Sequence, residues 1–189
     1  PSIEGSGMRI YLDLDESLIG NTLGPEGNSI QIHPRPGASW FIRTMAQHGD
    51  LWLLTMAAEE HARRALRKLG PEAKRFKGMI TREDLQPIED QVDVVLDPSI
   101  SEEVRRELWD QIKPIAPPGI MFDDFPVGSK MYAVKSKAIG IDPDRWIQVE
   151  GYYPGFPDHQ GLKRAYSEFV SRFGAQGSLM GRRRVVVWR

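Results

Sequence analysis

The segment Met8-Arg9-Ile10-Tyr11-Leu12 runs directly into Asp13-Leu14-Asp15-Glu16-Ser17. This junction constrains the fold most, because an apolar run of this kind reads as a buried strand and a buried strand that stops at carboxylates must meet solvent, a cation or a ligand there. In an open α/β sheet, ligands bind in the crevice outside the carboxyl ends of the strands. Asp13 and Asp15 stand two apart on an extended chain, so their side chains face one small volume, where like charges repel unless a cation or a shared proton intervenes. The pair predicts a bound metal ion.

At ordinary residue frequencies an Asp-x-Asp-x-Ser/Thr string arises by chance in about one chain in ten of this length. Context therefore has to carry the assignment. A second apolar segment, Asp50-Leu51-Trp52-Leu53-Leu54, ends in Thr55, and a third, Gly119-Ile120-Met121-Phe122, ends in Asp123-Asp124. Three predicted strands that each end in a polar residue point to one site fed by three elements. The bland alternatives are a solvated strand-end turn for Asp13 and Asp15, a helix cap for Thr55 and a cap pair for Asp123 and Asp124.

The intervening chain alternates strand and helix, the pattern of a parallel sheet covered on both faces. Gly20 to Asn28 is rich in turn formers and predicts a loop or short flap over the site. Pro36 opens a helix through Gln47 with Phe41, Ile42 and Met45 on its apolar stripe. A further helix runs from about Ala57 to Leu69, stopped by Gly70-Pro71. In the stretch 71–118, Val92 to Leu96 predicts a strand and Ser101 caps a helix to about Ile112.

Composition sets limits on function. With 189 residues, 40% of them hydrophobic, the chain can bury an ordinary one-domain core. The absence of cysteine excludes a thiolate nucleophile and suits a reducing, cytoplasmic location. No apolar run approaches a membrane span, and a net charge of −1 gives no global field for nucleic acid. Residues 1–7 read as a tag remnant, which puts the native start at Met8. Gly181 to Arg189 carries four arginines and one tryptophan, which predicts either a surface tail, an added strand or a phosphate-binding arm. His33, His48, His61 and His159 have no metal-ligand spacing, and Trp40, Trp52 and Trp146 read as core residues.

The order of Asp-x-Asp, Ser/Thr and acidic motifs resembles the haloacid-dehalogenase (HAD) superfamily of phosphotransferases. Within it, Leu12 to Ile19, then Arg35-Pro36-Gly37 before a helix, then Leu54 to Ala62, resemble the FCP/SCP-like branch, phosphatases that act on the RNA polymerase C-terminal repeat. Trp146 to Tyr153 resembles the end of the catalytic domain in that branch, so the likeness spans 8–174, with a small insert around 71–118 and the basic tail at 175–189. It implies a three-layer Rossmann-like α/β fold with a central, mostly parallel sheet. About 40 residues separate Asp15 from Thr55 and about 68 separate Thr55 from Asp123, which leaves no room for a large cap domain. An open site favours a large substrate.

The resemblance also implies roles. Asp13 is the nucleophile that forms an aspartyl-phosphate, and Asp15 the general acid and base. Mg²⁺ is held by Asp13, the backbone carbonyl of Asp15, Asp124 and Asp123, although the family usually has Asn where Asp124 stands. Thr55, through its hydroxyl and backbone amide, and Ser17 contact phosphate or hold the first loop. A lysine must neutralise phosphate and nucleophile. Lys113, Lys77 and Lys130 are the candidates, and Lys113 is preferred because it lies just upstream of the acidic motif.

Three functions follow. The first is a Mg²⁺-dependent phosphomonoesterase acting on phosphoserine or phosphothreonine in protein. The second is the same chemistry at a polynucleotide 3′ or 5′ end. The third is a catalytically silent HAD-fold binding module. None needs a nucleotide cofactor or a membrane.

Overall fold

The computed structural model describes residues 7–158 and 160–177, so His159 and the arginine-rich segment lie outside the described residues. In chain order the elements are β1 (Arg9–Leu12), β2 (Ile19–Leu23), β3 (Ile30–Pro34), α1 (Ala38–Met45), β4 (Asp50–Leu54), α2 (Glu59–Leu69), β5 (Phe76–Ile80), α3 (Arg82–Leu96), α4 (Glu102–Gln111), β6 (Ile120–Asp123), α5 (Lys130–Ile139), β7 (Trp146–Gln148) and α6 (Gly161–Gly177).

Five strands form one parallel sheet in the order β5-β4-β1-β6-β7. The chain leaves β1 on one side, builds β4 and β5, then returns to β1's other side with β6 and β7. That reversal places the switch point at the carboxyl end of β1, between the ends of β4 and β6. Both faces of the sheet are covered. Ile10 and Leu12 pack with Phe41, Ile42 and Phe169 on one face, while Tyr11 packs with Leu85, Val92 and Val134 on the other. β1 is apolar on both sides for this reason, as buried parallel strands are.

Beside this sheet, β2 and β3 pair antiparallel as a separate hairpin over the segment expected to be a flap. Apart from it, the described residues beyond Asp15 belong to the strands of the main sheet, the helices that cover it and their short connections. No large cap domain is present among them.

Helix boundaries shift slightly from expectation. α1 begins at Ala38 rather than Pro36, because Gly37 sits at φ 84°, a left-handed conformation that a Cβ disfavours. α2 begins at Glu59, four residues beyond Thr55.

The predicted strand at Val92 to Leu96 is not a strand: these residues are the last turns of α3. Pro87 interrupts the pattern in sequence, and Val-Asp-Val-Val-Leu viewed alone is β-branched. The helix is nonetheless written there, in the Thr81–Asp84 capping box and in buried Leu85, Ile88, Val92 and Val95 at helical spacing. β5, β7 and α5 had no counterpart in the sequence expectations.

Candidate active site

Three strand ends meet where the sequence pattern places them. The amide of Asp13 donates to the Phe122 carbonyl at 2.9 Å, which extends the β1–β6 ladder by one residue and sets Asp13 beside Asp123. Asp13, Asp123 and Asp124 each offer a carboxylate oxygen within 4.8 Å of the others. Asp13 and Asp123 are buried and Asp124 is partly so.

Lys135, from α5, reaches into this cluster. Its ammonium donates to Asp13 Oδ1 at 2.8 Å and also to Asp123 Oδ2, and its side chain is 1% exposed. The expected lysine, Lys113, is exposed just beyond α4 and does not line the catalytic cleft. Lys77 is exposed on β5, and Lys130 is engaged by Glu89 and Asp93. The lysine beside Asp13 is therefore Lys135, not Lys113. Its sequence signal was a helix capped by Ser129 and closed by Gly140, with Lys135 on the same stripe as buried Val134, Ala138 and Ile139. A lysine at a core position needs a buried counter-charge.

The electrostatics show what this cluster lacks. Burial, then the charge of Asp123, raises the Asp13 carboxyl well above its ordinary value, against the pull of Lys135. Burial and the neighbouring Asp123, with Glu16, push Asp124 up to about 7. Burial alone would lower Lys135, but Asp13 and Asp123 outweigh it and raise it. One ammonium against three carboxylates leaves the site short of positive charge. Hard oxygen donors in that state fit a divalent cation such as Mg²⁺.

The loop after β1 is held from several sides. Ser17 Oγ lies 3.3 Å from Asp13 Oδ2 and 3.5 Å from Asp124 Oδ1. Glu16 adopts φ 62°, and it is fixed there by its amide on the Ile19 carbonyl at 2.7 Å, by the Tyr152 amide on its own carbonyl at 2.7 Å and by the Tyr153 hydroxyl on Oε2 at 3.0 Å. A non-glycine residue at positive φ persists only where neighbours over-determine it. Arg35, fully buried, ties the same loop to the carboxyl-terminal segment. It donates to the carbonyls of Ser17 at 3.1 Å and Glu150 at 2.7 Å, and grips Asp158 with two bonds of 2.8 and 2.9 Å.

Asp15 faces the same cleft, of about 520 Å³, as Asp13, Thr55 and Lys135. Its Oδ1 accepts from Asn21 Nδ2 at 2.6 Å and lies 2.9 Å from His61 Nε2. His61 has no metal-ligand spacing, yet it sits at the Asp15 carboxylate, a contact made by tertiary structure alone. Arg82 also lines the cleft, with Nε on the Met56 carbonyl at 2.9 Å.

Thr55 is buried, and its Oγ1 accepts the Ala57 amide at 3.0 Å, which leaves the hydroxyl proton for a ligand. Its backbone amide is committed to the Ile80 carbonyl at 3.0 Å, and α2 starts later. The Thr55 amide is therefore not free to contact phosphate, contrary to expectation, and the hydroxyl remains.

Residues 9–97 match the family model of NLI interacting factor-like phosphatases. No curated protein matches the chain. Among solved structures, the fission yeast RNA polymerase II CTD phosphatase Fcp1 bound to beryllium fluoride is similar at 16% identity, with 92% of this chain and 52% of that one covered and a TM-score of 0.46. A second structure of Fcp1, described as an essential RNA polymerase II CTD phosphatase, is similar at 16% identity, with 95% and 55% covered and a TM-score of 0.47. The chain spans about half the length of these two proteins. Across residues 9–97, just under half of its length, the chain is thus similar to the NLI interacting factor-like phosphatases.

Proposed function

We propose that the protein is a Mg²⁺-dependent phosphomonoesterase that hydrolyses phosphoserine or phosphothreonine in proteins through an aspartyl-phosphate on Asp13. The observation that carries this reading is the contact of buried Lys135 with Asp13 inside a three-carboxylate cluster. Asp15 faces the same cleft without joining that cluster.

In the first step a carboxylate oxygen of Asp13 attacks phosphorus in line, and the bond from phosphorus to the ester oxygen breaks. Asp15, held by Asn21 and His61, gives its proton to the departing oxygen. In the second step Asp15 takes a proton from water as that water attacks phosphorus. The bond to Asp13 breaks, releasing inorganic phosphate and restoring the carboxylate. Lys135 offsets charge on Asp13 throughout, and the Thr55 hydroxyl donates to a phosphate oxygen. Asp13, Asp124 and the Asp15 carbonyl would hold Mg²⁺, with Asp123 beside them, and the ion supplies the positive charge the cluster lacks.

The cleft, open beside the β2–β3 hairpin and without a large cap among the described residues, supports a macromolecular substrate. The silent-module alternative rested on the want of a lysine, and Lys135 removes that ground.

The test is hydrolysis of an aryl phosphate with Mg²⁺ and with EDTA, for the chain and for Asp13→Asn. Metal-dependent turnover that vanishes in the variant supports the mechanism, and turnover that survives it refutes the nucleophile. A panel of phosphopeptides against 3′- and 5′-phosphorylated oligonucleotides then decides the substrate class.

A further inference from the structure

A second groove, of about 780 Å³, runs between β3 and α2 next to the catalytic cleft. Gln31 and His33 line it from the strand, and Arg64, Arg67 and Lys68 from the helix. Ile30 lines both the groove and the catalytic cleft, so the two are contiguous. α2 joins them as well. His61, against Asp15, is followed at helical spacing by Arg64 and Lys68 on the same face. Lys68 lies about 10 Å along the helix from His61.

The three groove cations are exposed, and among the described residues none of them pairs with a carboxylate. The adjacent Arg63 does, with Glu59. A row of unpaired positive charge leading away from a phosphatase cleft suits an anion carried on the same substrate.

The strand side suits a peptide. Among the described residues β3 pairs only with β2, and the Ile30 carbonyl accepts Arg64 Nη2 at 3.2 Å across the groove, so the outer edge of β3 faces it. An exposed strand edge accepts an extended peptide through main-chain hydrogen bonds. Among the described residues the groove has no Phe, Tyr or Trp in its lining, and so no platform on which bases would stack.

We propose that this groove is a specificity subsite for a second phosphorylated residue of the substrate peptide, about three residues from the one being hydrolysed, since an extended chain covers about 3.3 Å per residue. This rests on the phosphoprotein reading above.

The test measures binding to Asp13→Asn protein with Mg²⁺ for three labelled probes: a peptide with one phosphoserine, the same peptide with a second phosphoserine three residues away, and a 5′-phosphorylated oligonucleotide. The doubly phosphorylated peptide should bind about tenfold tighter than the singly phosphorylated one, with a gain that shrinks as salt rises. Adding Arg67→Glu and Lys68→Glu should abolish that gain, and Arg67→Ala with Lys68→Ala should abolish most of it. In the otherwise unaltered chain, both pairs should leave aryl phosphate hydrolysis unchanged.

Equal affinity for the two peptides, or a gain that survives charge reversal, overturns the proposal. So does preferential oligonucleotide binding lost in the same variants, which would reassign the groove. Failure of the phosphatase reading is seen separately, as absent metal-dependent aryl phosphate turnover.

Discussion

Lys135 donates to Asp13 at 2.8 Å although the two stand 122 positions apart in sequence. The pair joins the first strand end to a helix that follows the last acidic motif, so the site exists only in the folded chain. Replacing Lys135 with Met keeps the length of the side chain and removes its charge. The expected loss is about 10²- to 10³-fold in kcat/KM, the scale seen when one preorganised charge-stabilising donor is removed. Lys113→Ala should stay within about twofold, since Lys113 lines no part of the cleft. Steady-state kinetics on an aryl phosphate with saturating Mg²⁺ compare the two, and equal effects would return the role to Lys113.

The crowded carboxylates make the metal-free protein sensitive to pH. Burial and like charge raise Asp13, and raise Asp124 from 3.8 to about 7. The folded state therefore holds these protons more tightly than the unfolded chain. Their contribution to stability is complete below about pH 4 and is lost as pH rises through about 7. In EDTA the melting temperature should fall between pH 5 and pH 8, and Mg²⁺ should raise it far more at pH 8 than at pH 5. Asp124→Asn should flatten the EDTA profile. A Mg²⁺ increment of equal size at both pH values would show that these carboxylates are not where the ion binds.

Asp15 is assigned the proton, and leaving-group dependence can isolate that role. An alkyl oxygen needs protonation to leave, whereas p-nitrophenolate does not. Asp15→Asn should therefore slow phosphoserine peptide hydrolysis by about 10²- to 10⁴-fold, and the first step on p-nitrophenyl phosphate much less. Burst kinetics on the aryl ester read that first step directly. His61→Ala should show the same contrast at smaller amplitude, because His61 contacts the Asp15 carboxylate rather than the Asp13 cluster.

Arg35 is a structural clamp on the reactive loop. It is 0% exposed and satisfies two carbonyls and one carboxylate. Arg35→Met would leave the buried Ser17 carbonyl and the partly buried Asp158 carboxylate without their donor, a change that costs about 1–3 kcal/mol. Urea denaturation followed by fluorescence of the five tryptophans measures it. A loss below about 0.5 kcal/mol, the range of an ordinary surface substitution, would mean that the loop is held by Glu16 and its tyrosine neighbours instead.

Much of the grouping at the strand ends was legible in the sequence, because Asp13, Thr55 and Asp123 each end an apolar run and such runs are written locally. The convergence of Asp13 with Asp124 followed from the topological rule for parallel sheets. What escaped was fixed by tertiary contact or hidden by a local conflict. Lys135 sits inside an amphipathic helix with ordinary caps, and only the position of that helix over β1 and β6 makes it special. His61 meets Asp15 across the cleft, a contact no spacing encodes. Val92 to Leu96 misled because Pro87 splits a helical pattern into two halves, the second of which is β-branched. The commitment of the Thr55 amide to Ile80 was illegible without β5, itself a short strand with weak alternation.

The slight hairpin beside the cleft has a kinetic consequence. Among the described residues, the β2–β3 hairpin is what stands beside the cleft apart from the main sheet and its helices, so no domain among them must swing aside before a small anion diffuses out. Turnover should then be paced by bond rearrangement at phosphorus and stay insensitive to solvent viscosity. On the proposed reading, the same doorway would admit a bulky polypeptide and keep the hydrolytic water in free exchange with the bulk.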